Sequence, residues 1–163
     1  MFGFEKNENE QEEVEILYAP VSGKIFKIEE SPVSIFSRKI MGDGFAIESA
    51  CSKIFAPVSG TVTLTQGQTI GLIREDGLEV LFHISFSDAE FSSRQYNFTV
   101  EVGDFVNGGE EIGRVDIAVD GPADLIKTAM IVFTNTLDKL ADFTVDYADK
   151  IGGAKIGIAS VKK

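Results

Sequence analysis

Turn signals punctuate this chain at Gly42-Asp43-Gly44, Asp76-Gly77, Val102-Gly103-Asp104, Asn107-Gly108-Gly109 and Ile151-Gly152-Gly153, and the segments between them are short. Several of those segments alternate apolar and polar residues with period two: Val62 and Leu64; Phe98, Val100 and Val102; Phe143, Val145 and Tyr147. Period two places one set of side chains on one face of an extended strand. Short strands separated by turns predict an all-β fold, an antiparallel β sandwich or barrel-like single domain. Helical signal is confined to Ser34–Met41 and Pro122–Ala129, where a turn or so of helix is expected. Parallel strands would need longer crossovers than this punctuation provides.

One device occurs twice. Ala19-Pro20-Val21-Ser22-Gly23 recurs as Ala56-Pro57-Val58-Ser59-Gly60, each copy followed by a candidate strand, at 24–29 and 61–65. Proline fixes φ and removes a donor while glycine permits a tight bend, so each copy is predicted to turn into an edge strand or a bent one.

At 163 residues the chain is long enough to bury a core without disulfides or a structural metal. The domain is expected to span residues 16–163. Residues 1–15 read instead as an acidic N-terminal arm, expected to be disordered: six Glu and one Lys lie between Glu5 and Glu15 with no apolar period. The formal net charge of -11 opposes binding to nucleic acid or to an anionic membrane. Cys51, the single cysteine, cannot form an intramolecular disulfide, which suits a reducing cytoplasm. Neither a signal peptide nor an apolar run of about 20 residues is evident.

The single histidine lies in Gly77-Leu78-Glu79-Val80-Leu81-Phe82-His83-Ile84. Alternation puts Leu78, Val80, Phe82 and Ile84 on one face, so His83 points away from it, beside Leu81 and Glu79. Upstream, Arg74-Glu75-Asp76-Gly77 reads as a hairpin turn. A turn centred on Glu75-Asp76 sets Gln68 opposite His83, whereas one centred on Asp76-Gly77 sets Ile70 there. In both registers Gln68 is a direct or diagonal neighbour of His83, about 4.5–8 Å away. Its amide can hydrogen-bond an imidazole or a phosphoryl oxygen but cannot serve as acid, base or nucleophile.

Taken in order, Ala19–Gly23, Gly42–Ile47, Ala56–Gly60, the hairpin Gly77–Ile84 and Val102-Gly103-Asp104 resemble the landmarks of the glucose-type enzyme IIA family of the bacterial sugar phosphotransferase system. The resemblance runs from about Ala19 to the C-terminus. It implies an antiparallel sandwich in which His83 takes a phosphoryl group from the phosphocarrier HPr and passes it to a cysteine on a IIB domain of a sugar permease. It also implies a cytoplasmic protein that meets the membrane permease only through protein contacts, with no cofactor and no metal. Gln68 stands where the family has a second histidine. Phe36, Leu64 and Leu81 match positions of an apolar partner-docking rim. The family's His-x-Gly-x-Asp-Thr run reads here His83-Ile84-Ser85-Phe86-Ser87-Asp88, with Ser85 for Gly, Ser87 for Asp and Asp88 for Thr.

Two other readings follow from the residues. Gln68, Ser85 and Ser87 favour a divergent regulatory or binding paralogue whose phosphoryl donation is impaired or absent. Val102–Val115 resembles the glycine-rich hairpin of biotinyl or lipoyl carriers, but the Asn107-Gly108-Gly109 turn offers no lysine to modify, and one His with one Cys is too few for a usual zinc site.

Overall fold

A computed structural model describes residues 14–49, 52–86, 96–115 and 127–163. The strands are β1 (Ile16–Tyr18), β2 (Gly23–Lys27), β3 (Asp43–Ser49), β4 (Lys53–Phe55), β5 (Gly60–Gln66), β6 (Thr69–Ile73), β7 (Glu79–Phe86), β8 (Tyr96–Phe98), β9 (Phe105–Val106), β10 (Glu111–Val115), β11 (Lys127–Phe133), β12 (Leu140–Val145), β13 (Asp149–Lys150) and β14 (Lys155–Val161). All their pairings are antiparallel. Eight strands form one sheet in the order β13-β2-β3-β11-β7-β6-β5-β9, and two three-stranded sheets run β1-β14-β12 and β4-β10-β8. The all-β expectation holds.

The alternation in β7 works as its sequence requires. Leu78, Val80, Phe82 and Ile84 all enter the main core. Phe45, Ile131, Phe82 and Ile70 are successive cross-strand partners along one buried row of the large sheet. Leu17, Ile54, Ile112 and Ile156 from the small sheets join the same core. Burying a side chain of this size contributes about 1.5–3 kcal/mol.

The outer face of the large sheet carries a second, smaller core. Ala46, Met130 and Val132 are buried there with Ile28 and Phe36, which come from the connection between β2 and β3. That connection holds a 3-10 turn, Ile28–Glu30, and α1 (Ser34–Ser37). Ser34–Met41 therefore contains helix, as expected, but for four residues only. The second expected helix is corrected: residues 127–129 begin strand β11, paired on both sides with β3 and β7, and residues 122–126 lie outside the described set. Apolar burial on both faces of the central strand outweighs the weak N-terminal Pro signal. A short α2 (Thr136–Lys139) follows β11 instead.

The repeated pentapeptides form an interlocked pair. The Tyr18 N–H donates to the Pro57 carbonyl and the Phe55 N–H to the Pro20 carbonyl, each at 2.8 Å. Ser22 Oγ accepts the Gly152 N–H at 2.7 Å, as Ser59 Oγ accepts the Gly108 N–H at 2.8 Å. The Tyr18 ring lies so close to Gly108 that a Cβ there would stand 2.2 Å from it, and Phe55 does the same to Gly152 at 2.6 Å. Each copy thus grips a Gly-Gly turn from a distant part of the chain. Neither following strand is an edge: β2 is covered by β13 and β5 by β9.

Residues 1–13 of the predicted acidic arm, together with Cys51, Ser87 and Asp88, lie outside the described residues. Among those described, no helix is long and apolar enough to cross a membrane, and no group of three or more His, Cys, Asp or Glu could hold a metal ion.

Candidate functional site

The hairpin joining β6 to β7 has neither of the two turn centres that its sequence suggests. Gly77 adopts φ +92°, its N–H donates to the Arg74 carbonyl at 3.0 Å, and the Arg74 N–H donates to the Leu78 carbonyl at 3.0 Å. This is a three-residue loop, Glu75-Asp76-Gly77, with glycine in the left-handed position. The Arg74 guanidinium reinforces it. Its Nε donates to Asp76 Oδ1 at 2.9 Å, its Nη2 pairs with Asp76 Oδ2, and Nη2 also reaches the Ala159 carbonyl at 2.9 Å, fixing the hairpin to β14.

One extra loop residue shifts the register by half a step. Thr69, not Gln68 or Ile70, is the cross-strand partner of His83. The Ile84 N–H donates to the Gln68 carbonyl at 3.1 Å, so Thr69 and His83 form the neighbouring non-hydrogen-bonded pair, in which side chains approach most closely. Thr69 Oγ1 lies 2.9 Å from His83 Nδ1. Gln68 is half-buried in the two-residue turn between β5 and β6, after Gly67 at φ +57°. Sequence reasoning missed Thr69; its signal was the glycine at position 77, which favours a left-handed residue ending a longer loop.

His83 faces the outer side of the sheet, as its alternation requires. On its other flank it pairs with the buried Met130 of β11. The Phe36 ring packs 5.5 Å from the imidazole, tilted by 30°. The half-buried His83 ring therefore sits at the margin of the smaller core, and this desolvation pushes its pKa below the ordinary value of 6.5. At neutral pH the ring is uncharged and one nitrogen keeps a lone pair, as a nucleophile needs.

The expected docking residues separate into two kinds. Phe36 is only 3% exposed and packs the smaller core rather than forming an open rim. Leu64 is 37% exposed, and Leu81 is half-buried against the smaller core. Leu64 owes its place to a bulge. Val62 pairs with Leu72 but Leu64 pairs with Gly71, so Thr63 is the extra residue, and the bulge carries Leu64 to the outer side while Val62 stays in the main core. Simple alternation would have put both on one face. Gly71 lies between Leu64 and Leu81, and a Cβ there would stand 2.9 Å from Thr63 Oγ1 and 3.2 Å from Leu64 Cβ. The connection that buries Phe36 also exposes Ile35, Ile40 and Met41, which sequence reasoning did not single out. A cleft of about 470 Å³ between residues 39–43 and 134–138 includes neither His83 nor Thr69.

An outward, uncharged histidine beside apolar side chains offers one nitrogen lone pair at the sheet surface. Residues 15–139 match the family described as phosphoenolpyruvate-dependent sugar phosphotransferase system, EIIA 1. The chain belongs to this family. The glucose-specific EIIA component of Halalkalibacterium halodurans is 30% identical, over 99% of this chain and 96% of that protein. The glucose-specific EIICBA component of Streptococcus pneumoniae is 34% identical over 74% of this chain, which spans 17% of that longer protein. Among solved structures, the glucose permease IIA of Mycoplasma capricolum superposes with a TM-score of 0.72 at 26% identity, covering 97% of this chain and 99% of that one. A phosphocarrier role in sugar transport follows from this membership in general terms.

Proposed function

We propose that His83 accepts a phosphoryl group from HPr and passes it to a cysteine of a IIB domain during sugar uptake, in the cytoplasm. The observation that carries this reading is the position of His83: outward, neutral at pH 7, packed against Phe36 and sharing its face with Leu81, across Gly71 from Leu64. A ring nitrogen of His83 attacks phosphorus, and the P–N bond to the donor breaks with its electron pair returning to the donor ring. Positioning and charge stabilisation supply most of the rate, because the transferring group needs little covalent help. Exposed Leu64 and half-buried Leu81 form the docking rim, with Phe36 packed behind the imidazole. The fused EIICBA relatives fit a IIB domain as the acceptor.

Gln68 favours a second reading, a regulatory paralogue that takes phosphate but donates it poorly. A neutral amide contributes a weaker hydrogen bond to a transferring phosphoryl group than a charged imidazole does. Single-turnover transfer from the phosphorylated protein to a IIB domain separates the two: rapid loss of phosphate from His83 supports the relay, and retention supports the regulator.

A further inference from the structure

We propose that Thr69 is a positioning residue for His83: its hydroxyl oxygen accepts a hydrogen bond from Nδ1–H and thereby leaves the Nε2 lone pair free for the phosphoryl group. The proposal rests on the phosphocarrier reading. A neutral imidazole carries one proton on either nitrogen, and the partner of one nitrogen decides which. Here Oγ1 lies 2.9 Å from Nδ1. The two residues are direct cross-strand partners, so the backbone ladder holds their side chains next to each other on one face. Phe36 and buried Met130 flank the ring with apolar surface, which raises the value of a single well-placed polar contact.

The electron count gives the contact a direction. When Nε2 attacks phosphorus, its lone pair becomes the new P–N bond, and the His83 ring, still protonated on Nδ1, takes on positive charge. The donor ring, protonated on its other nitrogen, leaves neutral with the electrons of the broken bond. In this step Nδ1–H has no lone pair to offer, so Thr69 can only accept. A bond from a charged donor is stronger than one from a neutral donor, and the gain appears as charge develops. The opposite arrangement, with the hydroxyl donating to Nδ1, would put the ring proton on Nε2 and block attack.

The test uses Thr69→Val, which keeps the β-branched shape and removes the hydroxyl, and Thr69→Ser, which restores it. Nitrogen-15 shifts of the His83 ring, recorded above its pKa, should show the proton on Nδ1 in the wild type and in Thr69→Ser. Thr69→Val should shift toward the Nε2–H form that unconstrained imidazoles favour. Single-turnover phosphorylation by phosphorylated HPr should slow on the order of tenfold in Thr69→Val and recover in Thr69→Ser, with the half-saturating HPr concentration little changed. A wild-type ring protonated on Nε2, or a Thr69→Val protein with wild-type tautomer and rate, would overturn the proposal. If wild-type protein took no phosphate at all, the phosphocarrier reading would fail, while the nitrogen shifts would still decide whether Thr69 sets the ring.

Discussion

The Phe36 ring packs 5.5 Å from that of His83, and the two tie the smaller core to the candidate nucleophile. Burial beside this ring lowers the pKa of His83 from 6.5. Between the lowered value and about 6.5 the unfolded chain binds a proton that the folded protein does not. Stability attributable to His83 is therefore complete above about pH 6.5 and declines as the pH falls through the folded-state value. Melting temperatures of the wild type and of His83→Gln should fall with different slopes below pH 6.5, the wild type more steeply. Equal slopes would show that the ring is not desolvated.

Phe36 and Leu64 should behave differently when truncated. Phe36→Ala empties a buried position and should cost about 3–5 kcal/mol of stability. Leu64→Ala removes a side chain that is 37% exposed and should cost under about 1 kcal/mol, while weakening association with phosphorylated HPr. Denaturant titration combined with HPr binding checks both. A Leu64→Ala protein with intact binding would remove Leu64 from the docking rim.

Gly71→Ala should disturb the same rim from beneath. The added methyl meets Thr63 Oγ1 at 2.9 Å and Leu64 Cβ at 3.2 Å, so the bulge must move. Weaker HPr binding with an unchanged His83 tautomer is the expected outcome, read by titration and by ring nitrogen shifts.

Gln68→His restores a second imidazole in the turn next to the Thr69–His83 pair. Acceptance from HPr should stay about the same, because the nucleophile is unchanged. Donation to a IIB domain should quicken on the order of tenfold if the charged donor acts only in the transition state. Equal donation rates would show that Gln68 is no handicap.

Much of this arrangement was legible in the chain. Strict alternation from Leu78 to Ile84 fixed which way His83 points, and the repeated Ala-Pro-Val-Ser-Gly marked two equivalent turns. The register was not legible, because Asp76-Gly77 suits both a two-residue turn and a three-residue loop. The choice is supported by the buried Arg74, whose contacts to Asp76 and Ala159 are long-range or side-chain events. The bulge at Thr63 was equally hidden, since β5 reads as regular alternation. The helical pattern of Leu125, Ile126 and Ala129 gives no hint that Ala129 and Met130 are buried on opposite faces of a strand paired on both sides.

That His83 carries the phosphoryl group is open to direct test. Incubating the purified protein with phosphoenolpyruvate, enzyme I and HPr, then measuring intact mass, tests it most directly. The wild type should gain one acid-labile phosphate per chain and His83→Ala none. Phosphate on a Ser or Asp, or undiminished labelling of His83→Ala, would contradict it.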